Sequence, residues 1–424
     1  MQTLAIVGTG ISGLGCAHFL HQRFDVTLYE QNDYPGGHTN TVTVDEYGHP
    51  LPIDTGFMVF NHATYPRLTR LFRELGVETK PASMSFSVQH VPSGLEYNGG
   101  SVNLLFGQRR NLLRPRFWRM LAQMNRFNAE AVSALEDARF TNYSLRDYVT
   151  ERGYGEDMLN LYLVPMSSAV WSTPPEKMLD FPALTLLRFW HNHGFLGLHT
   201  QHPWFTVTGG AKSYVEKITA PFRQRVGLKN AAVRVARESG KAHLTTADGQ
   251  TRAFDKVILA CHADQALALL ADPTDLEARL LPKFKYQANT ATLHTDAGFM
   301  PRTSSCWASW NYRLDPGSNG EIVPTTHYWM NSLQGVSRHK NYFVSLNAHD
   351  RVAPENVLRR IEYEHPIFDL AAIAAQKELP QLNRLSPEQT TYYAGAWFKY
   401  GFHEDGFSSA LDCARAITGE PIWS

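Results

Sequence analysis

The chain has 424 residues, 43% of them apolar and 12% aromatic, with 40 Lys plus Arg against 40 Asp plus Glu. That length and apolar content build two or three modules with ample core and exclude a disordered chain; a net charge of zero excludes a global field drawing it to nucleic acid or to an acidic partner. Cys16, Cys261, Cys306 and Cys413 form no CxxC pair, which fits reduced, unliganded thiols better than a disulfide framework or a zinc site. Only Met1, Gln2 and Thr3 precede the first strand-like run, leaving no room for a signal peptide, and no apolar run approaches the ~18 residues of a membrane span. The expectation is a cytoplasmic protein, soluble or peripheral at a membrane.

Residues 3 to 38 read as a strand, a glycine-rich turn, a helix and a second strand. Gly8, Gly10 and Gly13 fall at GxGxxG spacing, and the helix starting at Ile11 and Ser12 offers free N–H groups and a positive dipole end to a pyrophosphate. Glu30 ends the second strand, where a carboxylate accepts from both ribose hydroxyls and disfavours a 2′-phosphate. The chemistry is that of a dinucleotide site. Gly36-Gly37-His38-Thr39 follows closely. Residues 40 to 54 alternate as a hairpin that ends in Asp54-Thr55-Gly56, and Tyr65 to Leu75 has helical spacing closed by Gly76.

Strand-like alternation over Ser83 to Tyr97 opens a second module. Residues 97 to 129 hold no acidic residue but carry Arg109, Arg110, Arg114, Arg116, Arg119 and Arg126 among Leu112, Leu113, Phe117 and Trp118. Such a stretch either rests on an anionic membrane surface or covers a domain with its arginines solvated. Helices are predicted over Asn142 to Gly153, Asp157 to Trp171 and Phe181 to His191. His191, His193, His199 and His202 lack metal-ligand spacing, so no metal site is expected, and loop or cavity lining is the reading. Trp204 to Tyr214 reads as strand, Gly209-Gly210, helix; strands follow near Val233, His243 and Ala260. Beyond Pro282, strands rich in aromatics return, with Tyr286, His294, Trp307, Trp310, Tyr312, Tyr328 and Trp329 as candidate cavity lining, of which about half are expected to be sheet core. The chain closes with a short strand, Tyr392 to Ala394, and YGFHEDGFSSAL leading into a helix.

GTGISGLGCA, the Glu30-x5-Gly36-Gly37 spacing, the Asp54 turn, Gly209-Gly210 and YGFHEDGFSSAL occur in one order across nearly the whole chain. Together they resemble the flavin amine-oxidase superfamily, in particular bacterial NAD/FAD-binding oxidoreductases that accompany cyclopropane-fatty-acid-synthase-like methyltransferases. The resemblance implies an α/β fold: a discontinuous Rossmann-like FAD domain (1–82, 204–272 and 386–424) and a mixed-sheet plus helical substrate domain (83–203 and 273–385). It implies FAD contacts at Gly36, Gly37, His38, Thr39, Asp54, Thr55 and Gly56, at Val233 and Ala260 by strand order, and at Gly406, Phe407 and Ser409. The family's usual Arg is His38 here, and its Gly-Thr-Glu is Gly395-Ala396-Trp397, which shifts the acidic contact to Glu404 or Asp405.

One branch of that family implies desaturation of a methyl-branched unsaturated fatty-acyl chain on the way to furan fatty acids, with a fatty-acid methyltransferase as a partner. Hydride removal and loss of a neighbouring proton require a dry cavity, and His403, Tyr400 and His294 are the candidates for proton handling. Two alternatives stand beside it. An amine oxidase would use Tyr400, Phe402, Phe407 and Trp397 as an aromatic cage, with Lys283 or Lys285 near the flavin; a flavin-containing partner of a methyltransferase would turn nothing over.

Overall fold

The computed structural model describes residues 1–197, 200–348 and 350–423. The fold is mixed α/β. A parallel five-stranded sheet runs in the order Val226–Gly227, Asp25–Tyr29, Thr3–Val7, Lys256–Leu259, Thr391–Tyr393. Its central strands are apolar and buried on both faces, as a parallel sheet covered by helices requires. The helices Ile11–Leu20 and His403–Thr418 pack against each other so closely that a Cβ on Gly15 would lie 2.8 Å from that of Ala410.

A second sheet of seven strands has the order Val357–Ile367, Lys285–His294, Phe343–Leu346, Ile322–Trp329, Trp310–Pro316, Phe86–His90, Leu95–Asn98. The pairing of Trp310–Pro316 with Phe86–His90 is parallel and the others are antiparallel. The helix Val164–Trp171 packs on it, and Phe117 and Met120 of the helix Pro115–Ala134 join Val88, Tyr97 and Tyr312 of its strands in one apolar cluster; the helix Ala183–Asn192 packs in turn on Pro115–Ala134 and on the helix Leu145–Arg152. Ser144 and Asp147 form a reciprocal capping box at Leu145–Arg152, and Gly153 ends that helix with φ +63°. The predicted helix over Asp157 to Trp171 contains a π-helical stretch, Leu159–Leu163, just before Pro165. Proline has no N–H to donate to the preceding turn, which explains the local widening. Val357–Ile367, pairing along the edge of the second sheet, is a strand the sequence reading did not mark.

Asp54 joins the parts beneath the cavity. Its buried carboxylate accepts from Ala211 N, Thr41 Oγ1 and Gln334 Nε2, while Asp54 N donates to Gln334 Oε1. The hairpin, the Gly209-Gly210 turn and a loop leaving the seven-stranded sheet are thereby tied at one point. Burial raises this carboxyl to about 6 against the opposing hydrogen bonds.

Candidate active site

One cavity of about 890 Å³ runs from the glycine turn to the aromatic strands of the second sheet. At one end Gly8, Gly10, Ile11, Ser12, Glu30, Gly36, Gly37 and Ala260 all line it. A Cβ on Gly13 would stand 1.9 Å from the Gly8 carbonyl, so glycine there lets the helix sit on the turn. A Cβ on Gly10 would meet nothing within 4 Å: the turn opens toward the cavity, and no side chain caps the helix behind it. Glu30, 5% exposed, accepts from Thr9 N, Thr9 Oγ1 and Asn32 N, which holds its carboxylate at the end of its strand.

The middle is built from imidazoles and phenols. His38 stacks on Tyr363 with ring centroids 4.7 Å apart and meets His365 edge-on at 5.1 Å. His403 stacks on Phe57 at 3.8 Å, and its Nε2 bonds Thr39 Oγ1 at 2.8 Å. His262 lies flat on Tyr286 and bonds Glu364. Burial holds all of these rings neutral: His403 falls to about 3 and His365 to about 4, and His38 lies well below the ordinary imidazole value, with its histidine neighbours adding to the shift. His38 therefore supplies no cation where the family pattern has Arg. Burial likewise pushes the Cys261 thiol up to about 12, so it stays protonated.

The far end is apolar, walled by Met58, Trp171, Phe189, Trp204, Trp310 and Tyr328. Phe189 stacks on Phe402 at 5.1 Å, and Trp171 Nε1 donates to the Tyr400 carbonyl. Among the described residues no Lys or Arg lines the cavity; Glu362 and Glu364 are carboxylates on its wall.

Several predicted residues stand elsewhere. His294 is fully buried in the seven-stranded sheet, bonded through Nε2 to Ser345 Oγ, and is not at the cavity, because its side chain faces the sheet interior. Val233 is 49% exposed and points outward; Ala232 at the start of its strand and Ala231 just before it line the cavity instead. Glu404 accepts from Arg67 N and Leu68 N and so caps the start of the helix Pro66–Glu74, and Asp405 accepts from Phe402 N at the start of its own helix. Burial lifts Asp405 to about 7. Phe407 fills the contact with Gly15, Gly406 abuts Ile11 and Ser12, and Ser409 Oγ accepts from Gly395 N; these hold the cavity's wall without lining it. Thr39 reaches the cavity only through His403, and Thr55 and Gly56 line it directly above Asp54. Of the seven aromatic-strand candidates, Tyr286, Trp310 and Tyr328 line it. Lys283 and Lys285 do not, and within the proposed cage Tyr400, Phe402 and Trp397 do while Phe407 does not. His199 lies outside the described residues, and no group of His, Cys, Asp or Glu among the described residues could hold a metal. The sequence reading missed Tyr363, His365 and His262; only His262, two residues past Ala260, had a motif beside it.

A family model for flavin containing amine oxidoreductases matches residues 11–418. The chain belongs to that family. FAD is its cofactor, and the open Gly10 turn, the uncapped helix start and the Glu30 carboxylate fit the dinucleotide part of this group. Solved structures share the fold of this flavin amine oxidoreductase. A conjugated-linoleic-acid-producing fatty acid isomerase from P. acnes superposes with a TM-score of 0.67 at 16% identity, covering 96% of this chain and 97% of that one. Cyclohexylamine oxidase from Brevibacterium oxydans gives 0.68 at 16%, covering 98% of each, and putrescine oxidase bound to putrescine gives 0.68 at 14%, covering 99% of each. No curated protein matches by sequence.

Proposed function

We propose that this flavin oxidoreductase desaturates a methyl-branched unsaturated fatty-acyl chain in esterified form. The observation that carries the reading is the cavity's lining: an apolar end with aromatic walls and, among the described residues, no cationic side chain. A free carboxylate drawn into it would find no charge partner, whereas an ester carries no charge to desolvate. The methyl branch comes from the family resemblance, and a fatty acid isomerase among the structures sharing this fold is in keeping with an acyl substrate.

Bound FAD supplies the acceptor for a hydride. The chain's own residues hold the acyl segment, exclude water and receive the proton. Departure of hydride from an allylic carbon leaves that carbon electron-poor, and faces of Trp171, Tyr400 and Phe402 stabilise such a charge. The neighbouring C–H is then strongly acidic, so an imidazole held at about 3 is basic enough to take the proton. In the tautomer whose Nε2 donates to Thr39 Oγ1, His403 has Nδ1 free as the acceptor. The products are a conjugated diene and reduced flavin.

A second reading, oxidation of an amine, is favoured by the Glu362 and Glu364 carboxylates on the wall and by the two amine oxidases that share the fold. Mass spectrometry of lipid incubated with the holoenzyme separates the two: loss of two hydrogens from the methyl-branched acyl chain supports the first, and unchanged lipid with aldehyde formed from an added amine supports the second.

An acyl chain in a phospholipid must be reached at a surface. Leu113 is 86% exposed beside Leu112 and Trp118, each 48% exposed, at the start of the helix Pro115–Ala134. Among the described residues Arg109, Arg110, Arg114 and Arg119 have no carboxylate partner, while Arg116 pairs with Asp157. This patch is the proposed contact with an anionic bilayer, and Leu113→Glu is expected to abolish sedimentation with phosphatidylglycerol vesicles.

A further inference from the structure

The strand Lys285–His294 pairs along its length with Val357–Ile367, and where they pass the cavity a run of amides ends on His365. Its direction is fixed by a backbone group. Thr290 N donates to Asn347 Oδ1 at 3.0 Å, so the amide nitrogen of Asn347 faces away and donates to Asn289 Oδ1 at 2.8 Å. Asn289, 1% exposed, is left with Nδ2 toward His365 Nδ1 at 2.9 Å, and the same Nδ2 donates to the Gln287 carbonyl at 3.1 Å. A backbone N–H cannot accept, and neither amide can turn over without setting donor against donor or oxygen against oxygen. Asn347 holds its place with φ +58°, a conformation asparagine tolerates better than most residues, and its own N–H donates back to the Thr290 carbonyl.

The consequence is a fixed tautomer. His365 Nδ1 accepts, so the ring's proton sits on Nε2, and no described residue accepts from that atom. We propose that His365 is a ligand-positioning donor: its Nε2–H, oriented by Asn289 and Asn347, bonds an uncharged carbonyl or ring-nitrogen acceptor of a molecule held in the cavity. The ring stands 5.1 Å from His38 and lines the cavity, so the acceptor belongs either to the flavin or to the substrate. Burial keeps the ring uncharged, which suits a neutral acceptor. The inference does not rest on the acyl reading, since an amine oxidase would present the same flavin to the same donor.

The test uses FAD-loaded enzyme labelled with ¹⁵N-histidine, with His365→Gln to assign the signal. Wild type is expected to show His365 protonated at Nε2. Asn347→Asp, an exposed position, places a carboxylate oxygen against Asn289, which turns its amide over and offers Oδ1 to Nδ1; the proton then moves to Nδ1. Asn289→Asp forces the same change directly and serves if the first variant is poorly loaded. A shift of the flavin's absorption bands and midpoint potential in these variants assigns the acceptor to the cofactor. An unchanged flavin with a roughly three- to tenfold weaker affinity for unsaturated phosphatidylglycerol, the loss expected for one hydrogen bond, assigns it to the lipid. A wild-type ring protonated at Nδ1, or a tautomer that switches while flavin and lipid readouts both stay put, overturns the proposal. Failure of wild type to bind the lipid at all would count against the acyl reading alone, leaving the flavin arm to decide this one.

Discussion

The two ends of the cavity are made of different material. The nucleotide end is backbone: Gly8, Gly10, Gly37 and the start of a helix, with a single buried carboxylate, Glu30, as its side-chain contribution. The far end is side chain: rings of Trp171, Phe189, Trp204, Trp310 and Tyr328 brought from helices and strands distant in sequence. A backbone site depends on what is missing from the glycines and tolerates almost no addition. A side-chain site depends on filled volume and loses function by degrees.

The contrast breaks most sharply at Gly13. Gly13→Ala sets a Cβ against the Gly8 carbonyl, where 1.9 Å is available; it is expected to cost about 3 kcal/mol and to leave little FAD in purified protein, read by flavin absorbance and thermal midpoint. Glu30→Ala should keep the fold and weaken FAD by about 2 to 3 kcal/mol, as for lost charge-assisted hydrogen bonds, measured by titration of apoprotein.

The buried histidines, in the cavity and outside it, respond to pH. His193, His294 and His365, each held at about 4, and His403 at about 3, take up protons more readily unfolded than folded. Their contribution is complete above pH 6.5 and is lost as pH falls from there toward 4, by at most about 1.4 kcal/mol per pH unit per histidine. Asp405 at about 7 and Asp54 at about 6 act in the opposite sense, favouring the fold as pH falls through those values. The histidines outnumber them, so the thermal midpoint at pH 5 is expected to lie below that at pH 7, and His403→Gln should make the slope shallower. At the far end, Phe189→Leu should leave FAD content unchanged while raising KM for the lipid about fivefold, the worth of a partly lost apolar contact. The smallest effect on turnover is expected from His294→Gln, which lies outside the cavity; it should lower thermal stability, through the lost bond to Ser345, with kcat unaltered.

The same contrast explains what could be read from sequence. Gly8, Gly10, Gly13 and Glu30 were legible because their spacing follows from the geometry of one strand, one turn and one helix. The closing helix was legible for the same reason, but not its contacts: Glu404 and Asp405 look alike in sequence and cap different helix starts. Val233 missed the cavity because strand order alone does not locate a contact to the residue: Ala231 and Ala232, just before it, line the cavity, and the ladder is irregular between Ala232 and Arg234. His294 and His365 are both histidines on strands of one sheet, yet one is sealed inside it and the other opens on the cavity; only the pairing of Lys285–His294 with Val357–Ile367 separates them. Aromatic residues were the least legible, since strands favour them for packing whether or not a cavity lies beside them.

The most direct test of the central claim is anaerobic bleaching of the bound flavin, titrated in parallel with methyl-branched unsaturated phospholipid and with primary and secondary amines. The account predicts loss of the oxidised flavin band with the lipid, together with ultraviolet absorbance of a conjugated diene in equal amount. Bleaching by an amine and none by the lipid would contradict it.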